Sequence, residues 1–181
     1  MMEVEAPVQP LISGEKDRHL SFAELYDNYF DRVNRYFRYR APSLWDADDL
    51  TAQVFIKALE KYHQFRGEAP VAVWLFRITH NAYVDYIRSR NRLVQVDSWE
   101  VAAAEDHLLP EEQFLRAEEL ARLREVLDKM DPDQRDVISL RYAGELRFGQ
   151  IARVLEKSES AVRMIHHRAL KVLRARLGGE G

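Results

Sequence analysis

Two kinds of side-chain grouping in this 181-residue chain bear on chemistry, and they point in different directions. Asp48-Asp49 and His166-His167 are pairs that acid–base or metal chemistry would use. Arg163, Met164, His167, Arg168 and Lys171 instead form a largely basic set at helical spacing, suited to nucleic acid. The pairs fail on geometry. Adjacent helical residues point about 100° apart, so His166 and His167 cannot easily share one ion. No HExxH pattern or third ligand accompanies them. No His or Lys at convincing spacing joins Asp48-Asp49, and two carboxylates suit the first turn of a helix, where they complement its dipole. Asp48, His63, His80 and His107 do not form a convergent catalytic set. The absence of cysteine rules out disulfides, thiol catalysis and Cys-ligated zinc. The expectation is a chain with no catalytic residue, no metal site and no cofactor.

The basic set must be positioned by the segment that contains it. Phe148, Ile151, Ala152 and Leu155 make an apolar stripe on a short helix, Glu156-Lys157-Ser158 reads as a turn ending in an N-cap serine, and a long helix follows. That last helix buries Val162, Ile165, Ala169 and Leu173 and turns Arg163, Met164, His167, Arg168 and Lys171 outward. This is a helix-turn-helix whose second helix can enter a DNA major groove. The net charge of −3 argues mildly against DNA binding, but the charge is uneven. Basic residues from Arg141 to Arg176 crowd the C-terminal segment, opposed there only by Glu145, Glu156 and Glu159, and local charge governs docking.

The rest of the chain reads as further helices. Ser21 opens one with Glu24 at the capping-box position, ending near Ala41-Pro42. A second starts around Asp46 to Asp49 and buries Leu50, Val54, Phe55, Ala58, Leu59 and Tyr62. After the loop Phe65 to Pro70, a third runs from about Val71 to Arg90 over Val71, Leu75, Ile78, Ala82 and Tyr86. Residues 91 to 109 have no helical stripe and several acids, as a linker would. Pro110 starts a helix with Leu115, Leu120, Leu123 and Leu127 inside. Asp131-Pro132 restarts the chain, with Gln134 able to close a capping box. No strand pattern with hairpin signals is present. The fold class is therefore all-α: two small helical domains joined by a flexible acidic linker, the C-terminal one a helix-turn-helix. The divisions fall at 1–20 (a mobile tail), 21–91, 92–109 (the linker) and 110–178. The acidic N-terminus has no apolar h-region and no run of about 18 apolar residues exists, so neither a signal peptide nor a membrane span is expected and a cytoplasmic location follows.

Two ordered motif blocks carry a family resemblance. The first is Asp48 to Leu59, followed by Phe65-Arg66-Gly67 and Trp74 to Asn81. The second is Asp133-Gln134-Arg135, Leu140-Arg141-Tyr142, Ile151-Ala152, Ala161-Val162-Arg163 and His167 to Leu170. Together they resemble the extracytoplasmic-function sigma factors, small promoter-recognition subunits of bacterial RNA polymerase. The chain departs from the family's pattern at Arg147, Gly149-Gln150 and Glu156, which stands where the turn usually has glycine. A left-handed residue there costs about 1–2 kcal/mol.

The resemblance implies a set of partners and roles. The domain at 21–91 would bind core polymerase, and its partners would be the β and β′ subunits, with Asp48, Asp49, Gln53 and Lys57 on the docking face. The same domain would meet the −10 element through Phe65, Arg66, Trp74, Arg77, His80, Asn81 and Arg88, with Asn81 holding an unstacked base. The domain at 110–178 would read the −35 element through Arg163, Met164, His167, Arg168 and Lys171. An anti-sigma protein is a further expected partner. The rival reading is a helix-turn-helix regulator acting without polymerase, which would not need the Asp48–Asn81 block.

Overall fold

The computed structural model describes residues 20–94 and 111–178. Seven α-helices are found there: α1 (Phe22–Arg40), α2 (Leu44–Lys61), α3 (Val71–Val94), α4 (Glu111–Asp128), α5 (Pro132–Ile138), α6 (Phe148–Leu155) and α7 (Glu159–Leu177). Residues 1–19 of the N-terminal tail and 95–109 of the acidic linker lie outside the described residues, whereas 92–94, expected as linker, continue α3. Among those described, every regular element is helical.

Local sequence chemistry sets most helix ends. Ser21 and Glu24 form a reciprocal capping box on α1. Ser43 caps α2 by accepting from the Asp46 amide, so α2 begins two residues before Asp46, earlier than its acidic pair suggested. Asp131 precedes α5 without a side-chain cap, and the expected box with Gln134 does not form. Pro132 occupies the first turn, where its missing N–H costs nothing. From α5 the backbone passes into a π-helical turn over Ser139–Ala143. Glu156 ends α6 in the left-handed region at φ 55°, the strained geometry anticipated from the missing glycine. Ser158 then caps α7 through the Ala161 amide.

α1, α2 and α3 pack in sequence to make the N-terminal unit. α5, α6 and α7 make the C-terminal one. The two units also pack on each other: α3 receives α6, while α1 receives α4 and the π-helical turn. One apolar core therefore runs from Leu25, Val33 and Phe37 through Leu75 and Phe76 to Leu140, Leu146, Ile151 and Val162. Gly144 permits this approach. A Cβ there would meet Phe76 Cε1 at 2.9 Å and its own unit's Leu140 carbonyl oxygen at 2.7 Å.

Packing changes several expected faces. α3 buries Val73, Phe76, Thr79 and Tyr83 in addition to Val71, Leu75 and Ala82: Phe76 and Tyr83 pack on Tyr36 of α1, and α6 also packs on α3. Leu59 was expected inside α2 but is 57% exposed, and Leu115 on α4 is 53% exposed. Asn34 ties α1 to α2 by donating to Asp48 Oδ1 at 2.9 Å and Thr51 Oγ1 at 3.1 Å.

Candidate nucleic-acid interface

The outer face of α7 is assembled as its spacing requires. Val162 and Ala169 are fully buried, and Ile165 and Leu173 are half-buried. Arg163, Met164, His167, Arg168 and Lys171 all face solvent. Arg163 is held in place: Glu159 accepts from it at 2.7 Å, and its guanidinium lies 4.7 Å from the Phe148 ring centroid. His166, adjacent to this face, hydrogen-bonds Tyr142 at 2.9 Å. Burial, with Arg141 and His167 nearby, holds the His166 pKa below the ordinary histidine value. The C-terminal unit thus presents a mixed basic and apolar helix face of the kind that reads base edges.

The α3 face is divided. Trp74 stacks into an aromatic group with Tyr62 and Phe65, at 5.9 Å and 5.2 Å between ring centroids. Tyr62 also donates its hydroxyl to the Leu20 carbonyl. Phe65 and Trp74 are each half-buried, and Arg66 is exposed beside them. Asn81 and Arg88 are likewise exposed.

Arg77 and His80 are not free. Arg77 Nη2 donates to the Arg153 carbonyl of α6 at 2.9 Å. His80 Nδ1 lies 3.2 Å from the Tyr36 hydroxyl, and its Nε2 is 4.0 Å from Asp136 Oδ2 of α5. Burial pushes the His80 pKa down, with Arg40 adding to the effect, and these outweigh the upward pull of Asp136. Asp136 is already claimed by Arg40, at 2.6 Å.

That ion pair is the centre of the contact between the units. Arg40 is only 6% exposed; it also donates to the Tyr36 hydroxyl at 2.9 Å and lies 4.0 Å from the Tyr83 ring centroid. Arg32 adds a hydrogen bond to the Gly144 carbonyl at 2.8 Å, Arg35 one to Glu145 at 2.9 Å, and Arg124 one to the Arg38 carbonyl at 2.7 Å. Sequence spacing carried no sign of this set, whose partners stand far apart in the chain.

On α2, Asp49 accepts from Gln53 at 2.8 Å, and both are exposed with Lys57 and Asp48. Ile56, at 57% exposure, and Leu59 share this helix's open surface. Tyr26, Phe30, Phe55 and Ala52 line a shallow apolar groove beside them. Asp48, expected on the docking face, is also the acceptor for Asn34, so it has a structural task. Among the described residues no three carboxylate or imidazole groups converge as a metal would need, and no helix is long and apolar enough to cross a membrane.

Comparison with known proteins gives this arrangement its relatives. Residues 25–93 match Sigma-70 region 2, and residues 126–175 match Sigma-70, region 4. The chain is 32% identical over 159 residues to the ECF RNA polymerase sigma factor SigX of Bacillus subtilis, covering 85% of this chain and 82% of that one. It is 32% identical over 175 residues to the ECF RNA polymerase sigma factor BldN of Streptomyces coelicolor, covering 96% of this chain but 64% of BldN's own length. Among solved structures it is similar to CnrH in complex with the cytosolic domain of CnrY. The TM-score is 0.67 and the identity 25%, covering 88% of this chain and 89% of that one. The fold also matches that of RpoE of Bartonella quintana, solved with the anti-sigma factor NepR, with a TM-score of 0.66 at 20% identity over 88% of this chain and 98% of that one.

Proposed function

This chain belongs to the extracytoplasmic-function sigma factors of RNA polymerase, and from that membership we propose how its surfaces divide the work of starting transcription. It directs core polymerase to promoters and catalyses no reaction itself, acting in the cytoplasm where polymerase works. Residues 21–91 form the polymerase- and −10-binding domain, and 110–178 the −35-binding domain, with 92–109 between them. The observation that carries this reading is that the two matched regions each present an exposed face of fitting chemistry: α2 with Asp49, Gln53 and Lys57, and α7 with Arg163 to Lys171.

Within that division, Arg163, Met164, His167 and Arg168 read base edges at the −35 element and Lys171 contacts phosphate. Phe65, Arg66 and Trp74 stand near the −10 strand, and Asn81 offers its amide to an unstacked base. Asp48, Asp49, Gln53 and Lys57 meet the β and β′ subunits. Arg77, His80 and Arg88 complete the −10 face. His80 is half-buried between Tyr36 and Asp136, so its use on DNA requires the two units to part, whereas the exposed Arg77 has only to leave the Arg153 carbonyl. A partner that holds the units together would silence the chain. CnrH, to which this chain is similar, was solved in complex with a second protein, the cytosolic domain of CnrY, and for this chain an anti-sigma protein is proposed in that part.

The test is transcription with purified components. The chain alone should bind promoter duplex weakly, and core polymerase should make promoter-specific transcripts appear. Tight sequence-specific binding by the free chain, unaffected by core, would reject the proposal.

A further inference from the structure

The seam between the two units carries a half-open groove of about 460 Å³ at the C-terminal end of α1, the second half of α3 and the connection from α4 to α5. Five arginines line it: Arg40, Arg88, Arg90, Arg124 and Arg135. Only two carboxylates oppose them, Asp128 and Asp136. Asp136 is bound to Arg40 at 2.6 Å, and Asp128 reaches Arg135 only at 3.5 Å. The Nε atoms of Arg40 and Arg135 are buried and have no hydrogen-bond partner. Burial also lowers the Arg124 pKa, and its guanidinium donates to the Arg38 and Pro42 carbonyls. The Nε–H groups of Arg40 and Arg135 are closed off from the groove itself; what calls for an anion is the excess of arginines over carboxylates along its walls.

We propose that this arginine-lined seam is a binding site for a small phosphorylated molecule of nucleotide size. Guanidinium forks match the tetrahedral oxygens of phosphate, and an excess of cations draws a multiply charged anion. The volume falls within the range of small-molecule pockets. Pro42, Val84, Ile87 and Pro132 supply apolar walls for a non-phosphate portion. The ligand touches α1 and α3 on one side and α4 and α5 on the other. It therefore binds only while the units are together, and it holds them so by mass action. Its effect on transcription rests on the function proposed above; the binding itself does not.

Titration calorimetry of the full chain at fixed ionic strength tests this, with inorganic pyrophosphate in one arm and ATP in another. Saturable one-to-one binding is expected in at least one arm, weakened about tenfold by Arg135→Gln and by the exposed Arg88→Gln. Asp128→Asn should tighten it by removing a like charge from the site. Fluorescent labels on α2 and α7 should report a larger closed fraction when the ligand is added. Absence of binding by both probes, or binding that all three variants leave unchanged, overturns the proposal. So does a DNA duplex that binds the free chain through Arg135 and is not displaced by pyrophosphate. Failure here leaves promoter-directed transcription with core polymerase intact, so the two readings fall separately.

Discussion

The outer faces of α7 and α3 are both proposed to meet DNA, yet they stand in different circumstances. On α7, Arg163, Met164, His167, Arg168 and Lys171 are exposed, and the ion pair of Arg163 with Glu159 lies along the same helix. On α3 two of the corresponding residues, Arg77 and His80, are tied to the other unit, while Asn81 and Arg88 remain open. One surface is ready as folded; the other is coupled to the contact between the units. The difference teaches that a polar side chain on a helix face can be committed elsewhere even when its spacing is right. The two faces proposed to meet DNA are therefore not independent.

The strongest way to break this coupling is to remove its central ion pair. Asp136→Ala leaves Arg40 buried without its carboxylate, and a loss of about 3–5 kcal/mol in denaturant unfolding is expected. Fluorescent labels on α2 and α7 should separate at the same time, with α7 itself unaffected. A loss below about 1 kcal/mol, with unchanged label distance, would show that the units are held by the apolar seam alone.

The α7 face should behave as a surface that needs no release. Arg168→Ala should cost about 1–3 kcal/mol and relax the preference at particular −35 bases. Lys171→Ala should instead weaken binding to all sequences and lower the salt slope by about one. If a promoter library cannot tell the two variants apart, the division into reading and positioning is wrong.

Asn81 sharpens the comparison from the other side, because it lies on α3 but is already exposed. Asn81→Ala should spare polymerase binding and reduce open-complex formation by about 1 kcal/mol, the worth of a hydrogen bond. The loss should depend on one non-template base and be partly recovered on a pre-melted bubble. Full opening with unchanged base preference assigns Asn81 to the helix surface only.

Acidification tests the seam more gently. The folded pKa of His80 lies below its unfolded value of about 6.5, so its contribution is fully present above that pH. It is lost as pH falls below about 6.5, since the unfolded chain then takes up the proton more readily. Tyr36, Arg40 and Asp136 face the ring, and none of them reverses the sign. His80→Gln should flatten part of the acid slope, with the remainder assigned in part to His166, which shifts the same way. A slope identical to the native protein's between pH 5 and 7, taken about the usual histidine range, would exclude His80 as its source. The smallest effect is expected on α2, where Gln53→Ala should change stability by only about 0.5 kcal/mol while weakening polymerase binding.

Much of this fold follows from short-range patterns. The Ser21 and Ser158 caps, the left-handed Glu156 and the outward residues of α7 all depend on neighbours within a few positions. What escaped depends on distance in the chain. An apolar stripe shows that something covers a helix, but not what covers it. Val73, Phe76 and Tyr83 lie off the α3 stripe, and α3 carries apolar residues on more than one side. That was the available signal, since an amphipathic surface helix has a single apolar face. Arg40 and Asp136 read as surface charges by type, and nothing near either one announces the other. Leu59 and Leu115 failed in the opposite sense: their spacing fits burial, yet no helix among the described residues covers them.

Gly144 gives the seam a consequence for competition. The absence of a Cβ lets Phe76 close over the C-terminal unit, and in the proposed reading each molecule so closed keeps His80 from a promoter. The apparent affinity of such a two-state binder is its intrinsic affinity scaled by the open fraction. Among several sigma factors sharing a limited supply of polymerase, a single missing methyl group would then set this one's rank. A bulkier residue at that position would press on Phe76 and on the Leu140 carbonyl of its own unit together, so it would loosen the seam while straining the turn that leads to α6.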